Sequence, residues 1–203
     1  MTLREAGANA NYNAMVAKVE KRFSKGLTFI SSYTWSHSID QGNESLDENL
    51  SGRANEYDLS AERGNSSLDR RHNLVTSFTY EMPFGRGKPF GTDWRGALDA
   101  VLGGWQVGGI LAICTGFPFD VNYPGDPQNS GTRNRGNRIG SGKLDNPTID
   151  KWFDEFAFVQ SAPGVYGNTP RNVLYGPGLS NFDFILSKRI TMPRGRTPPA
   201  VPV

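Results

Sequence analysis

Apolar and polar residues alternate with a period of two in five separate segments, the signature of strands with one face buried and one wet. Across Asn13–Phe23, Met15, Ala17, Val19 and Phe23 share one face, and Val16, Lys18, Glu20 and Arg22 the other. Ser24-Lys25-Gly26 then reads as a tight turn, with Gly26 available for a positive φ. The chain returns over Leu27–Ser36, setting Phe29, Tyr33 and Trp35 against Thr28, Ser32, Thr34 and Ser36. A third strand is predicted over Asn73–Met82, a fourth over Gly104–Thr115 and a fifth over Asn181–Ile190. Between the third and fourth, after Pro83 and a glycine-rich stretch, Trp94–Leu102 predicts a short amphipathic turn of helix.

The connections alternate in length: short, long, medium, long. Residues 37–71 carry many charges and no periodicity, and residues 116–180 are rich in Gly, Asn, Pro and Arg. Loops longer than about 15 residues are uncommon inside compact soluble domains. Outer-membrane barrels instead alternate short periplasmic turns with long extracellular loops. Strands of about ten residues suit a tilted crossing of the hydrocarbon layer. The aromatics Phe23, Trp35, Tyr80 and Trp105 lie near strand ends, where interfacial girdles form. The expected fold is therefore all-β: a partial antiparallel transmembrane β-barrel, about five strands of a larger barrel, with two long loops. It occupies residues 1–190, and the proline-rich 191–203 is expected to be a disordered tail. The competing expectation is a soluble extracellular β-sandwich that binds carbohydrate through its aromatics, which requires a dry core between two sheets.

Composition narrows this further. Hydrophobic residues make up 36% and mean hydropathy is −0.51, with no run near the roughly 18 apolar residues of a membrane helix. A barrel escapes that test because only every second residue meets lipid. The net charge of +2 predicts no nucleic-acid partner. The single cysteine, Cys114, excludes an internal disulfide and a cysteine zinc site, and reads as a small strand residue. The N-terminus has no apolar stretch of the signal-peptide kind.

Candidate chemistry is sparse, and neither an enzyme nor a bound cofactor or metal is expected. His37 and His72 flank predicted strand ends and read as interfacial or loop residues. Glu44, Asp47 and Glu48 lack the spacing and glycine of a calcium loop. GNRIGSGK, residues 136–143, lacks the first glycine and the final Ser or Thr of a phosphate loop. Arg133, Arg135 and Arg138 form a basic patch expected on a solvated loop. Asp69-Arg70-Arg71-His72 reads as loop-to-strand packing and charge pairing. The charged and polar strand positions Lys18, Glu20, Arg22, Thr34 and Glu81 are the candidates for a lumen lining.

Four phrases, in order, resemble one family. YNAMVAKVEKRFSKGLTFISSYTWSHSID is similar to a hairpin of Oar-like TonB-dependent receptors. LDRRHNLVTSFTYEMPFGRGKPF, LGGWQVGGILAICTGFPFDV and GNTPRNVLYGPGLSNFDFILSKRI resemble its following strands. The resemblance implies an outer-membrane barrel of about 22 strands around a plugged lumen, which moves a bulky substrate with energy delivered by TonB. Its implied partners are the rest of the barrel, the plug and outer-membrane lipid. TonB would engage only through an N-terminal part not seen in this chain. A plug, a TonB box and terminal aromatic strands are not recognisable here. The chain is accordingly expected to be a C-terminal piece that does not function alone.

Overall fold

The computed structural model describes residues 9–41, 54–55, 58–131 and 133–189. The expected tail, the loop acids Glu44, Asp47 and Glu48, and the last residue of the predicted fifth strand lie outside them. Ten strands occur among the described residues, in chain order. They are β1 (Ala10–Ser24), β2 (Leu27–Asp40), β3 (Gly64–Asn65), β4 (His72–Glu81), β5 (Trp105–Cys114), β6 (Pro118–Phe119), β7 (Asn137–Arg138), β8 (Phe158–Val159), β9 (Leu174–Tyr175) and β10 (Leu179–Lys188). One short helix, α1, spans Ala97–Leu102 inside the predicted Trp94–Leu102, and a 3-10 turn covers Glu155–Ala157. No helix among the described residues is long and apolar enough to cross a membrane.

The five long strands form one meander in the order β1-β2-β4-β5-β10, with β3 added beside β2. Every step joins neighbours in sequence, the connectivity of an up-and-down barrel wall. The sheet is open. Its edge strands, β1 and β10, have one neighbour each among the described residues.

Register follows from the bonds at the strand ends. Ser36 N–H donates to Arg71 O and Glu81 N–H donates to Gly26 O, ten residues apart on both strands. The β4–β5 pair behaves alike, with Thr115 N–H donating to His72 O and Met82 N–H to Trp105 O. Both pairs are antiparallel without a slip. Alternation therefore holds across β2, β4, β5 and β10. One face carries Phe29, Tyr33, Trp35, Leu74, Phe78, Tyr80, Trp105, Val107, Leu111, Ile113, Phe182, Phe184 and Leu186. The opposite face carries Thr28, Ser32, Thr34, Asn73, Ser77, Thr79, Glu81, Gln106, Asp183 and Ser187, with Ile30, Val75, Ile110 and Ile185 among them.

The first hairpin is less regular. Lys25 and Gly26 have φ of 51° and 82°, a type I′ turn that sets Ser24 opposite Leu27. At the far end Gln41 N–H donates to Asn9 O. Sixteen residues run from Asn9 to Ser24 but fifteen from Leu27 to Gln41, so β1 contains one extra residue, a β-bulge. A bulge exchanges the faces of the strand on its two sides.

The described residues fall into two compact units. One lies within Met1–Lys18, Ser32–Val75 and Ala112–Asn181, and the other within Val19–Ser31, Thr76–Leu111 and Phe182–Val203. The first holds the described residues of both long loops, which pair and pack with one another. Within it, β6 pairs antiparallel with β9, and β7 with β8. Ala157, Phe158 and Leu174 are buried there, with Phe119, Val121, Tyr123, Phe153 and Val173 packed against them. The second unit holds the type I′ turn, the 82–104 connection and α1. Buried hydrophobic side chains among the described residues are Ala157, Phe158 and Leu174 alone. None belongs to a long strand, so the dry inter-sheet core that a β-sandwich needs is not formed by these strands.

Candidate functional site

The most highly organised polar region lies in the first unit, where the two long loops meet the ends of β2 and β4. Arg171 forms a buried ion pair with Asp40, and its Nη2 and Nε donate to Asp40 O (3.1 Å) and Glu62 O (3.2 Å). Arg135 forms a second buried pair with Glu62, both side chains 5% exposed. Asn65 and Asn172 exchange side-chain amides with each other's backbone carbonyls, at 3.0 and 2.8 Å. Asn172 N–H also donates to Asp120 Oδ1 at 2.5 Å.

Asp69 is the second hub, and it is 1% exposed. Its Oδ1 accepts from Ser38 N–H (2.6 Å), and its Oδ2 accepts from Arg71 Nε (3.0 Å) and the Tyr175 hydroxyl (2.7 Å). A buried carboxylate is tolerated only when its lone pairs are filled this way. Burial pushes the Tyr175 phenol above its ordinary pKa, the hydrogen bond from Arg71 opposes this, and the bond to Asp69 adds to it. Desolvation likewise lowers the pKa of Arg171. The neighbouring Arg70 donates to Cys114 Sγ at 2.8 Å and lies 4.2 Å over the Phe117 ring. The Tyr33 hydroxyl and His72 Nδ1 are 2.7 Å apart, and His37 Nε2 is 3.1 Å from Asn65 Oδ1.

The phrase Asp69-Arg70-Arg71-His72 thus does what its residues suggested, packing loop to strand and pairing charge. The basic patch is different. Arg135 is buried against Glu62, Arg133 lies 3.7 Å from Asp120, and Arg138 donates to the carbonyls of Gly140 and Ser141. The reading of these arginines as a solvated patch is corrected at Arg135, which is buried against Glu62, while Arg133 and Arg138 stay partly exposed. The signal was available only as an acid–base complementarity between two loops distant in sequence. The glycine-rich 136–143 stretch forms β7 and a turn that packs Gly140 near Ala157, with no phosphate-loop geometry.

The strand candidates are placed as follows. Thr34 and Glu81 share the polar face of β2 and β4 by register. Glu81 bonds Lys88 at 2.6 Å and lies 3.8 Å from Arg189. Lys18, Glu20 and Arg22 lie on β1 between the two points that fix its register, and Arg22 Nε donates to Glu20 Oε1 at 3.4 Å. Among the described residues no group of three or more His, Cys, Asp or Glu side chains is arranged to hold a metal ion.

The meander, its two-faced alternation and its folded long loops are the anatomy of a membrane barrel wall. Residues 1–198 match the outer membrane beta barrel domain. The chain belongs to that family. No curated relative and no solved structure matches it. In the wall of such a barrel every second residue meets hydrocarbon, which is the alternation that these strands carry.

Proposed function

We propose that this chain forms a stretch of the wall, with its extracellular loop cap, of a TonB-dependent receptor of the Oar-like type in the outer membrane. The observation that carries the reading is the pair of open edges. In hydrocarbon each unpaired backbone group costs several kcal/mol, so β1 and β10 require further strands on both sides. The four-phrase resemblance supplies the subtype and, with it, import or export of a bulky substrate. The partners are the remaining barrel strands, a plug domain and lipid, with TonB acting through the plug-bearing part of the receptor. Lys18, Glu20, Arg22, Thr34 and Glu81 would line the lumen. The cap knotted by Asp40, Glu62, Asp69, Arg135 and Arg171 would hold the loops in one shape at the mouth.

The test is cross-linking in intact cells, followed by capture with an antibody raised against the second long loop. The reading expects a heat-modifiable outer-membrane species much larger than this chain, cross-linked to TonB. A captured species of this chain's size without TonB contradicts it.

A further inference from the structure

The Lys25-Gly26 turn end of the sheet, periplasmic in the proposed wall because short turns face that side, carries a feature that a bare barrel wall does not need. Glu81 N–H donates to Gly26 O, so the 82–104 connection leaves the sheet at the same end as the type I′ turn. Within it, α1 presents Leu98, Val101 and Leu102, at i, i+3 and i+4, on one face, 51%, 64% and 47% exposed. No residue of α1 is buried. A six-residue helix cannot hold itself in water, and this one has no side-chain N-cap.

What holds it is the aromatic face of the sheet, the face that meets lipid in the proposed wall. Lys188 Nζ donates to Val101 O (2.6 Å) and Gly103 O (3.2 Å), filling carbonyls that the helix end leaves open. Trp105 Nε1 donates to Val101 O at 2.9 Å, and the Lys188 ammonium lies 4.5 Å over the Trp105 ring. Trp105 and Lys188 are on the same face as Val107 and Leu186. The exposed apolar stripe is thus tied to the surface that meets lipid, at the depth where tryptophan and lysine favour the headgroup layer.

We infer that α1 is an interfacial anchor, seated in the periplasmic leaflet of the outer membrane with Leu98, Val101 and Leu102 among phospholipid acyl chains. Trp105 and the Lys188 ammonium lie at the phosphate level. Short amphipathic helices bury an apolar face about 5–10 Å into this boundary. The anchor fixes the depth of β5 and β10 and closes the end of the wall to slippage along the membrane normal. It rests on the family assignment and not on the transport reading.

The test uses the full receptor in phospholipid vesicles, in a Cys114→Ser background. An environment-sensitive fluorophore is placed at Val101→Cys, or at Phe184→Cys on the strand face as a reference. Shallow-brominated phospholipid should quench the label at position 101 and shift its emission to the blue, while aqueous iodide should not quench it. Quenching by iodide alone at 101, with position 184 still quenched by lipid, overturns the anchor and leaves the barrel intact. Loss of lipid quenching at both positions overturns the anchor and the orientation of the wall together. Lys188→Met should release the helix, restoring iodide access at 101 without changing position 184. An unchanged pattern there contradicts the ammonium's role in holding α1.

Discussion

Phe78 on β4 and Phe182 on β10 stack across the strand that separates them, ring centroids 6.5 Å apart and planes 11° from parallel. The contact is possible because the residue between them on β5, opposite Phe78, is Gly109. A Cβ there would stand 2.9 Å from Phe182 Cε2 and 3.0 Å from Asp183 O. Gly109→Ala should therefore destabilise the sheet by about 1–3 kcal/mol, the range for overpacking a close contact. Urea unfolding of the membrane-inserted barrel reads this out. A neutral result would mean that the stack does not constrain β5.

Val107 lies on the same face as Phe78, one alternation nearer the Lys25-Gly26 turn end of the sheet. Val107→Arg should cost about 2–4 kcal/mol if the residue meets the bilayer midplane. Thr79→Arg, on the opposite face and at the neighbouring level, should cost far less because the interior of such barrels is polar. Folding yield into vesicles compares the two, and equal penalties would contradict the assignment of faces.

The loop cap rests on buried charge. Glu62→Leu leaves the Arg135 guanidinium buried without its carboxylate, and removal of one partner from such a pair costs about 3–5 kcal/mol. The double variant Glu62→Leu/Arg135→Met should recover most of the loss. Hydrogen exchange at the loop backbone measures the cap directly, and a single variant as protected as the parent would show the pair to be dispensable.

Tyr175 gives the cap a pH dependence at the alkaline side. Its folded pKa lies above its unfolded value of about 10, so the unfolded chain ionises first. The stabilisation is complete below that unfolded value and is lost as pH rises through the folded one. Tyr175→Phe should flatten the alkaline decline in cap protection. The same decline in the variant would place its origin elsewhere.

The strands were legible because their constraint is local: alternation alone separates Phe29, Tyr33 and Trp35 from Thr28, Ser32 and Thr34. The end of β2 was not. The predicted strand stops at Ser36 because 37–40 have no apolar alternation; they are strand because Ile39 and Asp40 pair with Asn65 and Gly64, and Asp69 and Arg171 bond Ser38 and Asp40. The bulge escaped for a different reason, since Met15, Ala17, Val19 and Phe23 keep a single phase along the segment and show no slip. The loop knot joins residues such as Asp40 and Arg171 that are 131 positions apart, a pairing that no local pattern encodes. Asp69-Arg70-Arg71-His72 was readable because its charges are concentrated at a loop-to-strand junction, where packing and pairing must occur together.

The most direct test of the account is a single-cysteine scan of β4 from Asn73 to Tyr80, made in outer membranes on a Cys114→Ser background. Residues Leu74, Thr76, Phe78 and Tyr80 should react with a lipid-soluble reagent, and Asn73, Val75, Ser77 and Thr79 with a water-soluble one, in strict alternation. Uniform access to the aqueous reagent, or alternation in the opposite phase, would contradict a membrane barrel wall with its aromatic face in lipid.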